Sequence, residues 1–81
     1  LRNANLAGAH LRKANFAGAN LAGANFAGAN LDQANFAGAN IIRVNFSDAD
    51  LTEVNFQGAT YNAETRWPSG FRAEKHGARM R

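Results

Sequence analysis

The chain has 81 residues, enough for one domain but too few for a large compact core. It has no cysteine, which excludes disulfides and thiolate metal sites and leaves the redox compartment open. Its net charge is +3, and no apolar run approaches a membrane span, so no membrane insertion is expected.

The chain opens at Leu1, without a methionine and already inside a five-residue pattern. It is therefore expected to be a piece of a longer or processed product, and a removed targeting segment stays open. The large apolar residue at the centre of each unit is, in order, Leu1, Leu6, Leu11, Phe16, Leu21, Phe26, Leu31, Phe36, Ile41, Phe46, Leu51, Phe56 and Tyr61. Two residues before each later centre stands a small one, Ala throughout except Val44 and Val54, and between the two stands Asn in most units. His10, Asp50 and Thr60 are the exceptions to Asn. The register does not slip across thirteen units, the mark of a repeat architecture.

A straight helix cannot use this spacing, because five residues advance the wheel by about 500° and scatter the centres around the axis. A straight strand also fails, since an odd spacing alternates the faces. The pattern works if the chain bends once per unit. The centre and the small residue two before it then share an inner face, the Asn between them points outward, and the remaining two residues form a corner. Gly8, Gly18, Gly23, Gly28, Gly38 and Gly58 occupy the second corner position, where a type II turn needs positive φ. Asn3, Lys13, Gln33, Arg43, Asp48 and Glu53 stand there in other units, and those without Asn are expected to turn differently.

This arithmetic leaves handedness and the number of corners per coil open. Tandem A-N/D-L/F-x-x resembles the pentapeptide repeat family over about three quarters of the chain. The resemblance implies an all-β fold, a right-handed quadrilateral parallel β-helix with four units per coil. Twenty residues per coil then give four columns: Phe16, Phe36 and Phe56; Leu6, Phe26 and Phe46; Leu11, Leu31 and Leu51; Leu1, Leu21, Ile41 and Tyr61. About three coils are expected, a stub on the order of 15 Å tall, with Leu6 through Tyr61 as the core. The open N-terminal end is expected to be covered by missing residues or by another chain.

From residue 64 the composition changes. Residues 1–63 balance four basic groups against four acidic ones, whereas 64–81 hold Arg66, Arg72, Lys75, Arg79 and Arg81 against Glu64 and Glu74. The division expected is a repeat β-helix over 1–63 and a basic cap or tail over 64–81. "TYNAETRWPSGFRAEKHGA" resembles the closing segment of family members, with Trp67, Pro68 and Phe71 placed to lid the last coil. Arg72, Lys75, Arg79 and Arg81 are the candidate contacts to an acidic partner.

The chemistry-bearing residues are sparse. Asp48, Asp50 and Glu53 are the one acidic cluster, but their outward positions are spread over two sides, and a solvated face is the expectation. His10 reads as a surface residue, and neither Ser47 nor Ser69 lies in a nucleophile motif. The glycines serve corners and lack the lysine or helix of a phosphate loop. The Asn columns read as structural, able to hydrogen-bond along the axis as a ladder. No catalytic residue, metal or cofactor is expected.

The function expected is a non-enzymatic scaffold or docking module, with a protein partner rather than nucleic acid. The alternative is a DNA-mimic modulator of gyrase or topoisomerase, a known branch of the family. That branch implies an acidic stripe and a long stack, and this array is neutral and short. The resemblance further implies a bacterial, notably cyanobacterial, setting. It suggests the cytoplasm first and the thylakoid lumen second.

Overall fold

The computed structural model describes residues 1–81. Each Asn position forms a parallel bridge with the residue one coil away: Asn5 with Asn25 and Asn25 with Asn45, His10 with Asn30 and Asn30 with Asp50, Asn15 with Asn35 and Asn35 with Asn55, Asn20 with Asn40 and Asn40 with Thr60. The spacing is twenty residues on all four sides. Along each side the bonds alternate up the axis. The Leu6 N–H donates to the Asn25 carbonyl (2.7 Å), and the Asn25 N–H donates to the Ala4 carbonyl (2.8 Å). The extended stretch is so short because a five-residue unit leaves room for one bridging residue before the next corner. Regular strands are confined to β1 (Thr60–Tyr61) and β2 (Arg79–Met80), which pair in parallel.

Each corner is closed by a bond from the small residue to the preceding centre, as from the Ala9 N–H to the Leu6 carbonyl (3.1 Å). All six glycines at the second corner position have positive φ, between 68° and 75°. So do Asn3, Lys13, Gln33, Arg43, Asp48 and Glu53, at 55° to 63°. The expectation that corners without Gly or Asn turn differently is therefore corrected: they too enter the left-handed region. At Lys13 and Gln33 the reason is visible in the ladder. Their N–H groups donate to the carbonyls of Asp32 and Thr52 (both 2.8 Å), the bond that Gly8 makes to Ala27. The stack imposes the corner on side chains that disfavour it, at about 1–2 kcal/mol per residue.

Inside, Leu21, Phe26, Leu31, Phe36, Ile41, Phe46 and Phe56 are wholly buried, with Leu51 beside them. Rings one coil apart stack: Phe16 on Phe36 (5.0 Å, 22°), Phe36 on Phe56 (5.3 Å, 24°) and Phe26 on Phe46 (5.5 Å, 16°). Rings in adjoining columns meet edge-on, as Phe26 meets Phe36 (84°), so two orthogonal aromatic columns interlock. Leu6, Leu11 and Phe16 are half-buried on the first level, and Leu1 is 67% exposed.

Beyond Tyr61 the coil continues with altered spacing. Asn45 bridges Arg66 at twenty-one residues, and Thr60 pairs with Arg79 at nineteen. The extra residue is absorbed over 62–65. There the buried Thr65 hydroxyl donates to the Ile41 carbonyl (2.9 Å) and accepts from the Asn62 N–H (3.2 Å). The Asn62 side-chain oxygen accepts from the N–H groups of Arg43 and Glu64 (both 3.1 Å). Residues 68–72 and a short 3-10 helix, Ala73–His76, then cross the coil before β2 returns above β1.

Candidate functional site

The outward surface is built around the Asn side chains. From Asn15, Asn25, Asn35, Asn45 and Asn55 the Oδ1 atom accepts from the backbone N–H two residues on, each at 2.9 Å. Asn5, Asn20, Asn30 and Asn40 do the same at 3.1–3.2 Å. This bond supplies a partner to the first corner N–H, which has no place in the ladder. Along the axis only one amide pair joins, Asn40 Nδ2 donating to Asn20 Oδ1 at 3.4 Å. The expected axial amide ladder is thus largely replaced by local turns: each of these oxygens binds the corner N–H two residues on, and Asn20 Oδ1 alone also accepts from the amide one coil away. Arg66 takes the Asn position above Asn45, and two residues on stands Pro68, which has no N–H to satisfy.

The acidic residues do not converge. No group of three His, Asp or Glu side chains is placed to hold a metal ion. Asp50 stands in an Asn position and accepts from the Thr52 hydroxyl (2.6 Å) and N–H (3.0 Å). These two bonds, the hydroxyl's first, hold its carboxyl below the ordinary carboxylate value. Asp32 meets Arg12 across one coil (3.2 Å). His10 is exposed on its side of the coil, and the interior holds no cavity.

The aromatic and basic residues of 64–81 gather on one end. Trp67 stacks on Phe46 (5.1 Å, 15°), Phe71 on Trp67 (5.1 Å, 23°) and His76 on Phe71 (4.6 Å, 13°). Trp67, Pro68 and Phe71 are half-buried, and Ala73 and Ala78 join the core. Arg72, Lys75, Arg79 and Arg81 are exposed around them. Arg72 approaches Glu74 at 4.0 Å with both side chains more than half exposed. Sequence reasoning missed Asn62, Thr65 and His76. The N-x-x-T spacing at 62–65 is a visible turn signal, whereas nothing local marks His76 as the outer ring of a stack.

The family model for pentapeptide repeats matches residues 1–38 and 29–60, with eight copies of the repeat. The chain belongs to the pentapeptide repeat family. Pentapeptide repeat proteins form right-handed quadrilateral β-helices and are generally non-enzymatic structural repeat proteins. The chain is similar to a crystal structure of a pentapeptide repeat protein from the cyanobacterium Cyanothece 51142. The TM-score is 0.81 at 36% identity, over 83% of this chain and 46% of that one. It is also similar to a pentapeptide repeat protein from the Arabidopsis thaliana thylakoid lumen, with TM-score 0.51 and 27% identity, over 96% of this chain and 59% of that one. The chain thus spans about half the length of these two pentapeptide repeat relatives. No curated protein sequence matches it.

Proposed function

We propose that this chain is a non-enzymatic scaffold or docking module that works through the outside of a filled coil. About three coils form the pillar, and residues 64–81 close it and carry the partner contacts. The observation that carries this reading is the interior: four columns of Leu, Ile and Phe fill it, Phe26, Phe36, Phe46 and Phe56 have no exposure, and no cavity remains. Substrate pockets are concave and gather a few convergent polar groups. Here the Asn side chains of the repeat point outward, and their oxygens are bound to their own backbone. Recognition then rests on surface complementarity, with the pillar holding its contact residues at fixed spacing.

The test is affinity capture from the native extract at low and then high salt, with mass spectrometry on what is retained. A stoichiometric protein companion is the expected result. An empty column at both salts overturns the docking reading, and gyrase or topoisomerase as the companion replaces it with the DNA-mimic alternative.

A further inference from the structure

The end of the coil above Tyr61 and Trp67 differs from the rest in charge, in apolar exposure and in its backbone. Below it the charges cancel; within 64–81 five basic residues face two acidic ones. Arg66, Lys75, Arg79 and Arg81 have no carboxylate within 4.0 Å, since the two ion pairs of the molecule are Arg12–Asp32 and Arg72–Glu74. Met80 is 61% exposed among these cations. β2 uses one edge against β1, the N–H of Arg79 donating to Ala59 (2.7 Å) and that of Arg81, just after the strand, to Tyr61 (2.8 Å). The sheet has two strands, so the other edge of β2 has no neighbour. An unpaired edge is a template for another strand.

Resting on the docking reading above, we propose that this end binds an extended acidic–apolar peptide segment of a partner protein, added as a strand beside β2, its carboxylates on Arg79 and Arg81 and an apolar side chain on Met80. The arrangement favours such a peptide over single-stranded nucleic acid. Nucleic-acid platforms offer successive open rings to successive bases. Here Trp67 lies between Phe46 and Phe71, and Phe71 between Trp67 and His76, so only His76 offers an outer ring face. Glu74, exposed and 4.0 Å from Arg72, sets a carboxylate among the cations of this end. That carboxylate opposes a phosphate backbone charged at every nucleotide more than a peptide whose carboxylates are separated by apolar residues.

The probe is a short fluorescein-labelled peptide alternating Glu and Val, followed by fluorescence anisotropy. It is expected to bind, more tightly at low salt, while the corresponding Lys and Val peptide does not. Arg79→Glu with Arg81→Glu should weaken binding about tenfold. Met80→Ser, which removes the apolar contact without changing the charge, should also weaken it, and Arg12→Glu with Lys13→Glu, at the other end of the coil, should leave it unchanged. Circular dichroism and thermal melting establish that each variant is folded; should the Arg79→Glu/Arg81→Glu variant not fold, Arg79→Gln with Arg81→Gln takes its place. Unchanged affinity in the basic-end variant overturns the proposal. So does tighter binding of oligothymidylate of equal length. If a companion captured from extract is still retained by the basic-end variant, docking stands and this surface is not its seat.

Discussion

Replacing Phe36 by Ala tests whether stability is carried by stacking between neighbouring coils. The ring is wholly buried, stacked on Phe16 (5.0 Å) and Phe56 (5.3 Å) and edge-on to Phe26 (5.8 Å) and Phe46 (5.6 Å). Deleting a buried Phe costs about 3–5 kcal/mol, more where the surroundings cannot close the hole. Closure is resisted here because the backbone is bonded to both adjoining coils: the Phe16 N–H donates to Asn35 and the Phe36 N–H to Asn55, each at 2.7 Å. The expected loss lies at the upper end, about 4–5 kcal/mol. Phe16 has a stacked neighbour on one side and is half-buried, so Phe16→Ala should cost about 2 kcal/mol. A chain of this length has a total stability of about 4–12 kcal/mol, so the first variant is marginal and the second folds well. Urea unfolding followed by circular dichroism measures both. Equal losses at the two positions would refute nearest-neighbour stacking as the source of stability.

Asn35→Ala removes the acceptor for the Ala37 N–H and should destabilise by about 1 kcal/mol, whereas Asn35→Asp keeps the acceptor and loses less; chemical denaturation of the pair separates them. Gln33→Gly should stabilise by about 0.5 kcal/mol, because relief at φ 63° exceeds the added freedom of glycine in the unfolded chain; a loss measured in the same assay contradicts the strained corner. Asp50 has a lowered folded pKa, so its contribution is present above the unfolded carboxylate value and is lost as pH falls through the folded one. Asp50→Asn should flatten that acid limb in a pH series of urea midpoints, and an unchanged limb would place it on other groups.

The repeat was legible because one physical demand recurs every five residues. A centre, a small residue and a corner are each fixed by type, and their spacing excludes both straight helix and straight strand. The outward Asn was legible as structural but not in its mode. The sequence places Asn residues above one another, which suggests axial bonds; the side-chain oxygens instead accept from the N–H two residues on, as at Asn35 (2.9 Å), and only Asn20 adds an axial bond (3.4 Å) to its turn bond (3.2 Å). The corners were misjudged for a related reason. Propensity at Lys13 or Gln33 is local, and the axial bonds that override it come from residues nineteen positions away.

The segment after Tyr61 shows why composition and structure divide the chain differently. Charge and Trp67 mark a new region in the sequence, yet the backbone continues upward: Arg66 bridges Asn45, Trp67 extends the Phe26–Phe46 column, and β2 lies on β1. One inserted residue would rotate every later centre off its column if nothing compensated. Asn62 and Thr65 hold the insertion in a turn anchored to Arg43 and Ile41, and the register recovers in time for Trp67 to stack. From there Pro68 removes the N–H that Arg66 could not satisfy, and the chain crosses the coil instead of turning the next corner. The same departure that ends the repeat exposes Met80 and the Arg side chains, so the interruption of the ladder also creates the one strongly charged surface of the molecule.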